Sequence, residues 1–514
     1  MTTSTDIIPV HPEGERAVQA EPHHLDTFDG RVHVDWDLDR PCTPMGQAAY
    51  FIDFLKTSGR FEYLVDGCPL TRSSPNASSN RDVCGTWMLS VLAGHSRYAH
   101  LATLRGDPVL PELLGMNKIV SEDALRRALS AMPEEAAKAW LERNFEACVK
   151  PLLAERYIMD IDSTVKPIYG RQEGAVVGYN PTKPGRPSHV HHTYMIAGLR
   201  LVMGVETVAG NAYNSCHAVP GLWALVDRLP AHCKPSLLRG DRSFGTETIM
   251  SEAEQREQPY LFKLRLTKNV KRLIHKTAAR RGWKDAGHGW QERREALRLD
   301  GWSRERDVVI LRRRIKGDLA AIEAAPTSRT QMRLSFAEIE DDTAIYEYAV
   351  LVTSLKERDI HAVAQLYRDR ADCENVFDEL KNQWGWGGFT TQDLARCRLT
   401  ALMVALVFNW WNIYCRLANG DSYLEATSSR PLLLSGVGQR VEHGRQTTLK
   451  VTSTHAKAGL AAKMLCEVSV FLRRLANTAE QLTTTERWSR ILAHAARAWL
   501  GNRPLKSTHL LLPT

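Results

Sequence analysis

The sequence predicts an α/β core flanked on both sides by helices, and three observations carry that expectation. Between Arg156 and Leu266, strand-like apolar runs alternate with Gly, Asn and Pro turns and with helical segments at Ala218–Leu229 and from near Thr246. From Met45 to Gly115 and from Ala461 to Leu500 the apolar positions follow helical spacing instead. Glu357–Trp384 reads as one long amphipathic helix. Its apolar positions Ile360, Val363, Leu366, Val376, Phe377, Leu380 and Trp384 recur at three- and four-residue steps, with no Gly or Pro inside.

The 514 residues are 43% hydrophobic and 25% charged, enough for a sizeable core and about three or four folding units. Lys and Arg total 67 against 59 Asp and Glu, a net charge of +8. The excess is gathered at Lys263–Arg272, Arg280–Arg281, Arg293–Arg294 and Arg312–Arg314. Basic clusters interleaved with apolar and aromatic residues suit a polyanion such as DNA. The ten cysteines, Cys42 to Cys466, form no CxxC pair and no Cys/His zinc spacing, the usage of free thiols in a reducing cytosol. The first 24 residues lack the apolar stretch of a secretory signal. Leu399–Cys415, a long uncharged run, contains Asn409 and Asn412 and is expected as a buried helix, not a membrane span.

In chain order, residues 1–30 are low in hydrophobicity and are expected to be a mobile tail, and Gly30–Asp37 alternates like a short strand. Helices punctuated by Gly and Pro follow to Gly115. Ser121 is a good N-cap for a basic helix to Met132 that carries Arg126 and Arg127. With the short helix before it, this is the arrangement of a helix-turn-helix DNA reader, though most such helix pairs are only packing.

Arg156–Val165 has strand character, with Asp160 and Asp162 on one side of it. A Gly/Pro loop then carries Lys183 and Arg186, which suit phosphate, and strands are expected at Thr193–Met203 and Val205–Ala209. His189, His191 and His192 lack a Cys or carboxylate partner and are expected to be structural. Leu237 and Leu238 end a short buried strand. Asp241 sits in the turn after it, where open α/β sheets hold ligands, or as an Asx-turn capping the next helix. Pro259–Leu266 reads as the following strand. Beyond it lie Trp283, Trp290 and Trp302, suited to core packing or to stacking on an extruded base, and strand-like runs at Arg306–Ile315 and Ile345–Leu355. The Trp-Gly-Trp-Gly-Gly-Phe run at 384–389 breaks the long helix.

Within that helix Tyr367, Arg370, Glu374 and Lys381 stand three, four and seven positions apart. A repeat of about 3.6 residues aligns them close to Val363 and Phe377. A carboxylate on a core-facing stripe costs several kcal/mol unless it meets a cation, a metal or a proton. The bland alternative is an i,i+4 ion pair on a solvated face.

This Tyr-Arg-Glu-Lys spacing resembles the signature that closes the catalytic core in one branch of DDE transposases from bacterial insertion sequences. Gln-Glu-Gly-Ala-Val-Val-Gly-Tyr-Asn-Pro at 172–181 and Lys-Pro-Gly-Arg-Pro-Ser at 183–188 resemble the insertion-sequence family numbered thirteen-eighty. Gly-Asp-Arg-Ser-Phe-Gly at 240–245 resembles the second-aspartate motif of the same enzymes, and Asp162 before Ser163 and Thr164 resembles the first. The resemblance implies an RNase H-like core with a β-rich insertion and helical flanks. Its divisions would be the tail 1–30, a helical DNA-binding region 31–150, core 151–266, insertion 267–350, core 351–400 and a helical C-terminal region 401–514. It implies Asp162, Asp241 and Glu374 as ligands of two Mg²⁺ (or Mn²⁺) ions, with Asp160 as an outer candidate. Tyr367, Arg370, Lys381, Lys183 and Arg186 are expected on DNA at the core, and Arg126 and Arg127 in the N-terminal region. The expected partners are double-stranded DNA at terminal inverted repeats and target, and a second copy of the chain, in the bacterial cytoplasm at the nucleoid. Two ions about 4 Å apart suit phosphodiester cleavage and then attack by the freed 3′ hydroxyl. A nuclease or resolvase without strand transfer shares the carboxylates, and a non-catalytic DNA-binding regulator shares only charge and helices.

Overall fold

The computed structural model describes residues 23–34, 37, 40–71, 74, 76–213, 215–315, 337–340, 344–355, 360–452 and 456–500. The chain opens with the strands β1 (His23–Thr27), β2 (Gly30–Val34) and β3 (Cys42–Thr43). Helices follow: α1 (Ala48–Ser58), α2 (Arg60–Asp66), α3 (Asn80–Leu92), α4 (Leu110–Leu113), α5 (Glu122–Ala131) and α6 (Glu134–Val149). Next come β4 (Ile158–Pro167), β5 (Val176–Val177), β6 (Pro187–Ile196), β7 (Leu201–Ala209), α7 (Val219–Arg228), β8 (Leu237–Gly240), α8 (Glu247–Gln255) and β9 (Tyr260–Lys263). After these stand α9 (Lys268–Ala278), β10 (Lys284–Gly287), β11 (Trp290–Leu297), β12 (Arg306–Arg314), β13 (Ala337–Glu340) and β14 (Ala344–Thr353). The chain continues with α10 (Ile360–Arg368), α11 (Ala371–Gln383), α12 (Leu394–Ala418), α13 (Ala426–Leu433), β15 (Gly438–His443), β16 (Gln446–Val451), α14 (Ala458–Ala476) and α15 (Thr484–Leu500).

Eleven strands among the described residues form one sheet in the order β10-β11-β12-β14-β9-β8-β4-β6-β5, with β7 also on β6 and β13 on β14. Strands β4, β6 and β7 are an antiparallel meander, whereas β8 joins β4 and β9 joins β8 in parallel. Parallel strands are covered on both faces, and β4 is buried at seven of its ten positions from Ile158 to Pro167. The strands expected in the region after β9 do form, and β14 pairs directly with β9, so their sheet is continuous with that of β4.

Helix α12 carries the core on the other side. It packs on β7, α6, α3, α14 and α15 and is buried along almost its whole length. By length and composition it could cross a membrane, but its most apolar window is entirely buried in the protein. Its asparagines explain themselves by β7. Asn409 accepts from the Val202 amide at 2.8 Å and donates to the Val202 carbonyl at 2.7 Å, and Asn412 donates to the Arg200 carbonyl at 2.9 Å. A primary amide offers both a donor and an acceptor, so one side chain satisfies both backbone groups of an edge residue.

Several expectations need correction. Glu357–Trp384 is not one helix: α10 ends at Arg368 and α11 begins at Ala371, while residues 356–359 lie outside the described residues. The strand expected at Thr193–Met203 is cut by a turn at 197–200, where Gly198 (φ 74°) and Arg200 (φ 51°) reverse the chain. His23–Thr27, assigned by composition to the tail, pairs with β2, and residues 1–22 lie outside the described residues. The basic stretch Lys450–Lys457 begins on the hairpin β15–β16, which pairs with β3; residues 453–455 lie outside the described residues.

The strands after β9 are fastened to α8 by one arginine. Arg306 on β12 is 2% exposed and bonds Glu254 at 2.7 and 2.9 Å and Glu247 at 2.5 Å. Burial raises both carboxyls, but hydrogen bonds from Arg306 and neighbouring donors outweigh it and hold each at about 2. Their folded values lie below the unfolded value of roughly 4.3, so the stabilisation is complete above that pH and fades as pH falls toward 2. Arg306→Ala is expected to lower the unfolding free energy by about 3 kcal/mol at pH 7. Urea denaturation should show a smaller difference at pH 3, and an equal difference at both pH values would refute the linkage.

Candidate active site

Two aspartates on one face of β4 meet different partners. Asp160 lies in register with Arg239 on β8, and both are almost fully buried. The guanidinium donates to Asp160 through Nε at 2.5 Å and Nη2 at 2.7 Å, a bidentate pair. Its Nη1 donates to the Leu366 carbonyl on α10. In an uninterrupted helix that carbonyl would receive the Arg370 amide. The Arg370 amide bonds instead to the Tyr367 carbonyl at 3.2 Å. A side chain inserted into the ladder is a physical cause of a break, and here it separates α10 from α11.

The break turns Arg370 inward. Its side chain is 5% exposed, and Nη2 donates to Asp162 Oδ2 at 2.8 Å while Nη1 stands 3.6 Å from Glu374 Oε1. Asp162 Oδ1 accepts from the Ser163 amide at 2.7 Å, and the Cys373 thiol is 3.9 Å from Oδ2. Burial is the strongest influence on Asp162 and pushes its carboxyl up; Arg370 pulls it back, and the charges of Asp241 and Glu374 push it up again. Three carboxylates from distant parts of the sequence therefore share one electrostatic site. Asp162 does not end its strand, as β4 runs on to Pro167; it lies one residue past the last parallel pairing, Ile161 with Gly240. Asp241 follows β8 and accepts from the Ser243 amide at 2.8 Å, so it is an Asx-turn, but it does not cap α8.

The other signature residues gather around this site. Tyr367 has a buried hydroxyl with no hydrogen-bond partner among the described residues. Burial raises its pKa, Arg370 opposes, and Asp241, Asp162 and Glu374 add to the rise. Lys381 is pulled down by burial and held up by Asp162 and Asp378. Lys183 and Arg186 are not drawn into the carboxylate group; both lie 4.8 Å over the exposed ring of Tyr169. Arg126 is bonded to Glu122 at 2.7 Å within α5 and lies over Tyr98, and Arg127 is exposed. The histidines of β6 are structural: His189 bonds the Glu173 carbonyl, His191 the Thr207 hydroxyl, and His192 both Ser163 and the Ala212 carbonyl.

Sequence reasoning missed Lys263, Arg242 and Tyr213. Lys263 ends β9 beside Asp241 and Arg370, whose charges act on it. The rule that ligands gather at the carboxyl ends of parallel strands, already applied to Asp241, would have found it one strand further along. Nothing in the spacing of Tyr213 marks it.

Three carboxylates are hard oxygen donors of the kind Mg²⁺ and Mn²⁺ select. As the side chains stand, no three His, Cys, Asp or Glu groups among the described residues form a cluster that could hold a metal ion, and Arg370 already bonds Asp162 Oδ2. The donor chemistry fits such an ion once Arg370 yields that oxygen or shares it.

A family model described as "Transposase DDE domain group 1" matches residues 71–471. No curated protein sequence matches the chain. Among solved structures, the chain is similar to a piggyBac transposase from a cryo-EM synaptic complex with hairpin DNA. The TM-score is 0.39 at 10% identity, covering 90% of this chain and 87% of that one.

Replacing Asp160 with Ala strands Arg239 in the core without its carboxylate. The expected loss is about 3–5 kcal/mol of unfolding free energy, read from urea denaturation. A loss under about 1 kcal/mol would mean that the pair does not tie β4 to β8 and α10.

Proposed function

The chain belongs to the transposase DDE domain family, group 1, and on that premise we propose that it cuts DNA at the ends of a bacterial insertion sequence and joins the freed 3′ hydroxyl to target DNA. The observation that most supports this reading is the convergence on Asp162, in β4, of the charges of Asp241, from the turn after β8, and Glu374, from α11. We assign the chain to the Tyr-Arg-Glu-Lys branch and the insertion-sequence family numbered thirteen-eighty on Tyr367, Arg370, Glu374 and Lys381 and on the 172–188 motif. The core is RNase H-like in this reading. The sheet order β7-β6-β4-β8-β9, a meander extended by two parallel strands, supports that assignment. The divisions at 31–150, 151–266, 267–350, 351–400 and 401–514 belong to the same proposal.

Asp162, Asp241 and Glu374 would hold two Mg²⁺ ions, which when bound activate the attacking oxygen and stabilise the leaving one. The rest falls to the chain. Arg370 and Lys381 hold phosphate oxygens of the cleaved strand, and the Tyr367 hydroxyl, buried within reach of the carboxylate charges, orients the reacting group. Lys183 and Arg186 engage backbone phosphates beside the site, and Arg126 and Arg127 contact DNA from α5. Arg370 has a second task before substrate arrives, since its guanidinium neutralises Asp162 in a site crowded with negative charge. Two element ends must be joined together, so the working form is a homodimer on DNA, at the bacterial nucleoid.

Glu374→Gln is expected to lower both cleavage and strand transfer by roughly a hundredfold or more while DNA binding is kept. The assay is Mg²⁺-dependent cleavage and joining on DNA carrying the element's terminal repeats. Unchanged activity in the variant would sink the carboxylate assignment. Cleavage without joining by the unmodified protein would favour the nuclease or resolvase.

A further inference from the structure

The proposed cleavage site has an aromatic neighbour that the signature residues do not include. Tyr179 follows β5 and Tyr213 follows β7, and their rings lie 4.4 Å apart at 43°. Tyr213 is the inner ring. Its hydroxyl is shifted upward by burial first and then by the charges of Asp241 and Asp162, which lie within electrostatic reach of it. Tyr179 is the outer ring and is 45% exposed. Arg242, the residue after Asp241, donates to the Tyr179 hydroxyl at 3.5 Å.

The backbone is built to bring these rings together. A Cβ on Gly178 would fall 1.9 Å from the Gly210 carbonyl oxygen. A Cβ on Gly210 would fall 2.3 Å from the carbonyl oxygens of Ser188 and Val176. No side chain can be accommodated at such distances against backbone, so only glycine at both positions lets the two segments touch. Each tyrosine sits close beyond one of these glycines. The neighbouring surface is basic and aromatic, with Tyr169 67% exposed beneath Lys183 and Arg186. The tryptophans between β9 and β14 offer less: Arg312 lies 4.0 Å over Trp283, Arg313 4.9 Å over Trp290 and Arg306 5.1 Å over Trp302.

We propose that Tyr179 and Tyr213 form a stacking platform for one unpaired base of the DNA strand whose phosphate is held at Asp162 and Asp241. This inference rests on the DNA-cleaving reading of that site. An exposed ring presents a π-face that any base can cover, and cations around it match the phosphates on either side. A duplexed base cannot reach such a face, so the platform selects DNA that is nicked, frayed or extruded at the cleavage position.

The test uses the full chain and two oligonucleotide duplexes of one sequence, one fully paired and one with a single unpaired 2-aminopurine. The unmodified protein is expected to bind the second about tenfold more tightly and to quench its fluorescence. Tyr179→Ala, at an exposed position, should bring that preference close to unity and abolish the quench. Tyr179→Phe and Tyr213→Phe keep the rings and should keep both signals. Preference and quench that survive in Tyr179→Ala would overturn the platform. Equal affinity of the unmodified protein for the two duplexes would overturn it while leaving the transposase reading in place. Failure to bind either duplex would overturn both.

Discussion

Burying two opposite charges in adjacent strands is favourable only when their hydrogen bonds are complete, and that condition at Asp160 and Arg239 shapes everything around the site. Two of the guanidinium's bonds go to the carboxylate across the β4–β8 pairing. The third finds the Leu366 carbonyl, which removes the acceptor that Arg370 would need to continue α10. The helix therefore stops, and Arg370 turns onto Asp162. Asp160 and Asp162 look equivalent on paper, two residues apart on one face. One is saturated by a bidentate arginine, and the other keeps company with two more carboxylates.

The site was legible to the extent that it depends on spacing. Tyr367, Arg370, Glu374 and Lys381 were found as a line on a helix, and the structure gathers them although the helix is broken among them. The break was not legible, because its cause is Arg239, more than a hundred positions earlier in the chain. No helix breaker marks Arg368–Ala371. The turn at 197–200 escaped for a related reason. Gly198 is a turn signal, but Arg200 in the left-handed region is not, and apolar residues continue on both sides. Lys263 was legible in principle, as a residue at a parallel strand's carboxyl end. Tyr213 depends on the contact of Gly178 with Gly210, which neither segment reveals alone.

Polar residues in apolar surroundings proved the most informative, and they divide by what they satisfy. Asn409 and Asn412 serve backbone groups of the β6–β7 turn and the edge of β7. His189, His191 and His192 serve carbonyls and hydroxyls around β6. Glu254 and Glu247 serve Arg306. The Tyr367 hydroxyl has no hydrogen-bond partner among the described residues, and it lies within reach of the carboxylate charges. Among buried polar groups, one kept without a partner beside a cluster of acids is a better pointer to chemistry than any of the satisfied ones.

The union of β9 with β14 has a mechanical meaning. Arg312, Arg313 and Arg314 on β12 are one strand from β14, and β14 is bonded to the strand that ends in Lys263. Among the described residues, rungs of backbone hydrogen bonds run from that basic strand through β14 and β9 to β8, which Asp241 follows. Such a plate can coil about its own axis but cannot swing. A pull on β12 is therefore passed on as torsion, within a few strands' width, to the residues around Asp241 and Asp162, so the two ends of this stretch of sheet turn together.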